Sequence, residues 1–345
     1  MPNLGIDIGG TYARAAVVDD AGKVLGAGKV ALHDRSPAGV VESIAKAESE
    51  AVLNAGTRDI RFCGVGVAGQ LRGDTGIVAV APNLGWREVP FGDLLSARLG
   101  HAVRVVNDLR VAAWGEYRVG AGRGAEDVLM VAVGSGVGSA AISRGELVLG
   151  HDGVAGEVGH IKMVPGGRKC GCGELGCLEA YCSGHNLISQ MKEAINSGLY
   201  RTTLSDRVGG DLSKLNPVVL ETAAAEGDAL AVEIYERAGS LLSLAIANYV
   251  TILNPARLIL GGGVLLNCPG LFKRVVQGVE MHTLRLSARG LTIHMATLGD
   301  DSGIIGAALM ANPAMHATMI EPAASLEPTA AQVPALTVPM KAQNG

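Results

Sequence analysis

Ile6-Asp7-Ile8-Gly9-Gly10-Thr11-Tyr12-Ala13-Arg14-Ala15-Ala16-Val17-Val18 opens a stretch that runs on to Leu25, and its pattern returns 125 positions later as VAVGSGVGSAAISRGELVLG, from Val131 to Gly150. Both copies read as strand, glycine turn, strand, turn, strand. Runs of Val, Ile and Ala flank each glycine turn, and Asp20-Ala21-Gly22 and Arg144-Gly145 mark the second turns. The pattern predicts an internally duplicated fold. Outward from the first copy it predicts a helix from Pro37 to Ala55, a strand at Ile60 to Val67, a helix at Phe91 to Leu99 and a strand at Val103 to Val106. After the second copy, a helix from Gly227 to Leu253 leads into a strand at Leu258 to Leu260 and the triple glycine Gly261-Gly262-Gly263. Alternating strands and helices around two copies of one unit imply two α/β domains with a cleft between them.

The 345 residues, 48% hydrophobic and 18% charged, suffice for two domains with ample cores. A formal net charge of -4 gives no electrostatic reason for a nucleic-acid or anionic-membrane partner. Met1 to Asp7 lacks the basic start and apolar run of a secretory leader. The longest apolar stretch, Leu241 to Leu253, is too short for a bilayer and is broken by Ser243, Asn248 and Thr251, so a buried helix is expected. Six cysteines without an export signal argue for reduced thiols and a cytoplasmic protein. Cys63 and Cys268 read as packing residues, and Cys182 stays ambiguous. From Ala311 onward, Pro313, Pro322, Pro328, Pro334 and Pro339 among Ala, Thr and Glu suit an extended or disordered tail.

A turn such as Asp7-Ile8-Gly9-Gly10-Thr11 leaves backbone N–H groups free to wrap phosphate oxygens, and Thr11 adds a hydroxyl. Gly134-Ser135-Gly136-Val137-Gly138 offers the same from the other domain. A lone glycine turn usually exists for geometry; two duplicated ones on facing domains argue for phosphate. Asp7 stands where the second copy has Ala132, and a carboxylate beside phosphates calls for a cation between them, which makes it an outer ligand for Mg²⁺. The alternative is a strand Asp bonded to nearby backbone. No Gly-x-x-x-x-Gly-Lys-Ser/Thr pattern occurs. Gly64-Val65-Gly66-Val67-Ala68-Gly69 matches a dinucleotide pattern, but a turn follows where a helix is required, so the match reads as accidental.

Asn107-Asp108 ends an apolar strand ahead of a helix from Leu109 to Tyr117. Asp108 there is either the helix N-cap or, with the helix dipole favouring its ionised form, a base for a sugar hydroxyl attacking a γ-phosphate. Such a transfer has a loose transition state, so a base of ordinary pKa suffices and positioning does most of the work. His160, Cys170, Cys172 and Cys177 read His-x₉-Cys-x-Cys-x₄-Cys, with Gly171, Gly173 and Gly176 for tight turns. Three thiolates and an imidazole suit a closed, structural, tetrahedral Zn²⁺ site; the alternative is a chance cluster of thiols. Zinc would pin the loop bearing Glu157 and Glu179, placing two carboxylates to accept from vicinal sugar hydroxyls, whereas without it both read as solvated surface charge.

From Leu4 to Met310 these features closely resemble the ROK family of sugar kinases and related repressors, in particular its glucokinase-like members. The resemblance rests on the Asp7 to Thr11 turn, Pro82-Asn83-Leu84-Gly85-Trp86, Asn107-Asp108, Gly134 to Gly138, Gly156-Glu157-Val158-Gly159-His160, Cys170 to Glu179 and Gly261-Gly262-Gly263. It implies an actin-like ATPase (ribonuclease H-like) α/β fold of two duplicated domains. The smaller spans 1–110 with a C-terminal helix at about 303–312; the larger, with the zinc knuckle, spans 111–302; 313–345 form the tail. It further implies an ATP-dependent hexokinase acting on the 6-hydroxyl of glucose, with Asp108 as general base. Asn83, Asn107, Glu157, His160 and Glu179 would bind the hexose. Asp7, Gly9, Gly10, Thr11, Gly134, Ser135, Gly136, Gly261, Gly262 and Gly263 would hold ATP and Mg²⁺. A homodimer is implied as well. Two residues depart from the common pattern: Tyr12, where a long residue such as Lys is frequent, and Ser135, where Thr is commoner. Mannose, N-acetylhexosamines, fructose and allose are alternative substrates, and polyphosphate an alternative donor, because epimer choice depends on pocket shape. A non-catalytic sugar-sensing repressor carries a winged-helix domain ahead of the sugar module; here the first strand starts at Leu4. A zinc-ribbon interaction module is a further alternative, with only Arg168 and Lys169 flanking the metal residues. Two domains with separate phosphate turns are expected to hinge together over sugar and exclude water.

Overall fold

The structure, a computed structural model, describes residues 1–312. The proline-rich segment 313–345, expected to be a disordered tail, lies outside the described residues.

In chain order the first half carries β1 (Asn3–Ile8), β2 (Tyr12–Val18), β3 (Val24–Ala31), β4 (Cys63–Val67), β5 (Gln70–Leu71), β6 (Val78–Ala81), β7 (Trp86–Val89) and β8 (Val103–Asn107). The second half carries β9 (Val128–Val133), β10 (Val137–Ser143), β11 (Glu146–Leu147), β12 (Arg257–Gly261) and β13 (Thr292–Met295). Two five-stranded sheets share one plan, β3-β2-β1-β4-β8 and β11-β10-β9-β12-β13. In each, the central strand pairs antiparallel on one side and parallel on the other. β9 and β10 begin and end 125 residues after β1 and β2, the offset visible in the sequence. This is the actin-like duplication. β5, β6 and β7 form a separate antiparallel sheet on the first half.

Local signals set the helix ends. The helix Pro37–Ala55 starts behind Ser36, whose hydroxyl accepts from the Gly39 N–H, and stops at the left-handed Gly56. The helix Ala229–Leu253 begins two residues later than its periodicity suggests, because the Asp228 carboxylate caps it by accepting from Ala231 N–H. Its apolar second half is buried at Leu242, Ile246 and Val250, and among the described residues no helix is long and apolar enough to cross a membrane.

Each sheet has its own core, and a third core lies between them. That seam is built from the helices Asp108–Val119 and Ser302–Met310, packed between Ala16 and Val18 of the first sheet and Met130 and Ile259 of the second. The last helix lies hard on the first sheet: a Cβ on Gly64 would stand 2.0 Å from the Ala307 carbonyl oxygen, and one on Gly5 1.9 Å from that of Ile304. The glycines of β4 thus serve helix packing, and the chain continues into β5 rather than a helix, which accounts for the dinucleotide-like spacing without a dinucleotide. Gly64→Ala is expected to cost about 3 kcal/mol, since the clash is with backbone that cannot rotate aside. A urea midpoint that does not move would mean the helix does not lie there.

Candidate functional site

The helix Asp108–Val119 starts where β8 ends, and its N-cap is Asn107. The Asn107 Oδ1 accepts from the N–H groups of Leu109 and Arg110 at 3.1 and 3.2 Å, while its Nδ2 donates to Gly69 O and to Asp108 Oδ1 at 3.2 and 3.0 Å. This corrects the reading of Asp108 as the cap: the amide before it takes that duty and leaves the carboxylate one accepted bond from Asn107. Burial lifts the Asp108 pKa above the ordinary carboxylate value, and the charge of Glu157 adds to the rise. Nearby backbone amides and the Asn107 amide pull the other way.

Asp7 sits beside it. In the sheet register Asp7 faces Arg14 on β2 and Gly66 on β4, and a Cβ on Gly66 would lie 3.5 Å from Asp108 Cα and 3.7 Å from Asp7 Oδ1. Both are ordinary contacts, so position 66 lies between the two acidic residues, and what requires glycine there is the helix, since the same Cβ would stand 2.7 Å from Val111 Cγ2. The first turn of the helix Ser302–Met310 closes on Asp7 from the other side, with a Cβ on Gly303 standing 3.2 Å from Oδ1. Burial, followed by the charge of Asp108, pushes the Asp7 pKa up to about 6; Arg14 opposes this and Asp300 adds to it. Because the folded pKa exceeds the unfolded one, protonated Asp7 favours folding below about pH 4, and that contribution is lost as pH rises through about 6. Asp7→Asn is therefore expected to stabilise the protein at pH 7.5 by about 2 kcal/mol without metal or nucleotide, and to change little below pH 4. Urea melts at the two pH values check it; destabilisation at pH 7.5 would count against the cause given.

Asp7 leads into the first glycine turn, closed by Gly9 N–H on Tyr12 O at 3.2 Å. Thr11 is exposed, and a Cβ on Gly10 would lie 3.8 Å from the Asn83 Cβ, so the turn and Asn83 face one another. On the other half, Gly134 N–H donates to Gly136 O, and Gly134 O accepts from Gly184 N–H at 2.8 Å. The exposed Ser135 tops this second turn. The triple glycine joins it: Gly262, at φ 83, is so close to Val133 that a Cβ would stand 2.5 Å from its carbonyl oxygen, and Gly263 N lies 4.0 Å from a Cβ placed on Gly134.

Glu179 connects this turn to the knuckle. One carboxylate oxygen accepts from Val137 N–H at 2.9 Å, and the other lies 3.8 Å from Cys170 Sγ. The donor atoms of His160, Cys170, Cys172 and Cys177 all fall within 4.8 Å of one another. Cys170 Sγ is 3.7 Å from His160 Nδ1, and Cys172 Sγ is 3.7 Å from Cys177 Sγ. Thiolates on a tetrahedral zinc at about 2.3 Å stand about 3.8 Å apart, so the four side chains fit Zn²⁺. Lys162 Nζ, 3.1 Å from Cys177 Sγ, offsets thiolate charge. His160 Nδ1 faces the sulfur of Cys170.

The candidate residues thus gather in two groups, Asp7, Gly10, Asn83, Asn107 and Asp108 on one half, and Gly134 to Gly136, Gly261 to Gly263, Glu179 and the knuckle on the other. Glu157, whose charge reaches Asp108, and Leu109, against which a Cβ on Gly138 would press at 2.7 Å, join them across the seam.

The ROK family model matches residues 3–314 of this chain. The chain belongs to the ROK family. A glucokinase of Streptomyces coelicolor is 34% identical over 316 residues, 89% of this chain and 96% of that protein. Among solved structures, a ROK family glucokinase from Streptomyces griseus, in complex with glucose and AMPPNP, is 33% identical and superposes with a TM-score of 0.77 over 90% of this chain and 99% of that one. A ROK hexokinase from Thermus thermophilus is 30% identical, with a TM-score of 0.76 over 90% and 98%.

Several residues of this ROK chain escape sequence reading. Glu116 is fully buried and accepts from the N–H groups of Ala121, Thr297 and Leu298 and from the Thr297 hydroxyl, tying the end of one seam helix to the approach of the other. Ser139 donates to Gly156 O at 2.6 Å and Arg110 to Ala155 O at 3.0 Å, and together they hold the loop that carries Glu157. Arg14 bonds Asp300 and Asp301 just ahead of the last helix. An isolated Glu, Ser or Arg in a helix or strand carries no local signal for such distant partners.

Proposed function

We propose that this protein transfers the γ-phosphoryl group of ATP to the 6-hydroxyl of glucose. The chain is an ATP-dependent sugar kinase; glucose as its substrate and Asp108 as its base are the finer reading. The observation that carries it is the Asn107-Asp108 pair. Capping is delegated to Asn107, so the part-buried Asp108 carboxylate, raised in pKa, keeps only the Asn107 amide as a side-chain partner and stands beside Asp7 and the first glycine turn.

In this reading ATP lies between the turns at Gly9 to Thr11 and at Gly134 to Gly136, with Gly261 to Gly263 beneath, its oxygens taking backbone N–H groups and the hydroxyls of Thr11 and Ser135. Asp7 would hold Mg²⁺, which offsets phosphate charge when bound; its crowding by Asp108 and Asp300 suits a carboxylate that awaits a cation. Asn83, Asn107, Glu157, His160 and Glu179 orient the sugar hydroxyls. Asp108 accepts the proton of the attacking hydroxyl as its oxygen bonds the γ-phosphorus and the bond to the departing ADP oxygen breaks. His160, Cys170, Cys172 and Cys177 would hold Zn²⁺, which supplies a fixed crosslink and no open coordination position.

The choice of glucose is supported by the similar Streptomyces griseus glucokinase, whose structure is a complex with glucose and AMPPNP. The test is ADP release from ATP and Mg²⁺ over a panel of glucose, mannose, N-acetylmannosamine, fructose and allose. The expected result is the highest kcat/KM on glucose; a higher value on another hexose would reassign the substrate, and release with none would remove the kinase reading.

A further inference from the structure

A cavity of about 860 Å³ lies apart from every residue assigned above to sugar, phosphate or metal. Its walls come from both halves: the Gln70 to Asp74 hairpin and Arg104 to Val106 on one side, the segment from Gly145 to Val154 on the other. Arg110, Trp114 and Met310 of the two seam helices complete it. The volume is that of a small-molecule site.

Its one buried charge, Arg110, is cationic, while Arg104 and Glu146 are both part-buried. Arg110 is 9% exposed and Arg104 is half-buried, and burial lowers the pKa of each guanidinium. Their hydrogen bonds go to neutral carbonyls, Arg104 to Met310 O at 3.3 Å and Arg110 to Ala155 O at 3.0 Å, and among the described residues no carboxylate lies within ion-pair distance of either. The charge of Asp74 reaches both guanidinium groups and that of Glu157 reaches Arg110, but neither forms an ion pair, so two desolvated groups, each with five N–H donors, remain costly unless an anion meets them. The acidic side chains Asp74, Glu146 and Asp152 also line the cavity, and Asp74 and Asp152 are exposed. Acids there disfavour a dianion more than a monoanion. Leu71, Val106, Trp114 and Leu147 supply apolar wall.

We propose that this cavity is a second ligand site, which takes a small organic carboxylate with an apolar body. The carboxylate pairs with Arg104 and Arg110, and the body lies against Leu71, Trp114 and Leu147. The ligand bridges the two halves of the molecule, and Arg110 holds the carbonyl two residues before Glu157. This goes beyond the kinase reading, and binding can be read without any turnover.

The test is calorimetric titration of the full chain with 3-phenylpropionate and indole-3-propionate, with 3-phenylpropanamide and phenyl phosphate as controls, each with and without saturating glucose. The expected result is 1:1 binding of at least one carboxylate with a sub-millimolar Kd, and at least tenfold weaker binding of the amide and the phosphate ester. Arg104→Gln should weaken the carboxylate at least tenfold, and so should Leu147→Trp, which fills the space from another element. Retained glucose-dependent ADP release in both variants shows that they fold. Glucose should leave the 1:1 stoichiometry intact. No carboxylate binding, preference for the phosphate ester, indifference to both variants, or full displacement by glucose would each overturn the proposal.

Discussion

Asp108→Asn is expected to lower kcat about 10³-fold while the KM for the hexose changes by less than about fivefold. Asparagine keeps the size of the side chain and its place beside Asn107, so helix start and pocket shape persist, and only the ability to take a proton is lost. The raised pKa adds a second expectation. As the proposed base, Asp108 works ionised, so in the wild type kcat/KM is expected to fall as pH drops through the Asp108 pKa, with that acid limb above the ordinary Asp value of about 3.9. Glu157→Gln removes a charge that contributes to the rise and should move the limb to lower pH. Steady-state kinetics across pH decide the matter. An unchanged kcat in Asp108→Asn would place the base elsewhere, and a loss confined to KM would make Asp108 a binding residue.

Cys177→Ser is expected to abolish stoichiometric zinc in elemental analysis, cost about 3 kcal/mol or more, and lower kcat/KM about 10²-fold or more. Cys177 is fully buried, and its neighbour Leu178 precedes Glu179, whose carboxylate accepts from Val137 N–H in the second phosphate turn. Without a metal crosslink, the segment from Cys170 to Glu179 keeps its backbone bonds to 161–168, such as Gly176 N–H to Arg168 O and Leu178 N–H to Ile161 O, and the core packing of Leu178, but the four donor groups are no longer fixed to one another. Glu179 and the second glycine turn, proposed to hold sugar and phosphate, are therefore expected to loosen together. Full activity from protein shown to contain no zinc would sink the structural role.

Where a side chain's duty is local, sequence alone was enough. The duplicated strand-turn-strand units are patterns of neighbours, and strand hydrophobicity with glycine turns dictates them directly. The helices Pro37–Ala55 and Phe91–Leu99 end where their own cap and glycine signals stop them. The spacing from Cys170 to Cys177 is likewise local, and the structure does bring these three thiols together with His160.

What only the tertiary structure decided depends on chain segments far apart. Two acidic residues about a hundred positions apart became one electrostatic unit because β1 and β8 flank the same strand β4, and no periodicity encodes the burial that lifts their pKa values. Asn107 rather than Asp108 caps the helix because the extended backbone of β8 runs through Asn107, at φ -63 and ψ 141, and its amide oxygen accepts from the first-turn N–H groups. The seam is the fullest case: Glu116 reaches Thr297 and Leu298, and Gly64 lies under Ala307. Hydrogen bonds and steric contacts between distant segments are set by how two helices fill the space between two sheets, a property of the packed molecule and not of any stretch of its sequence.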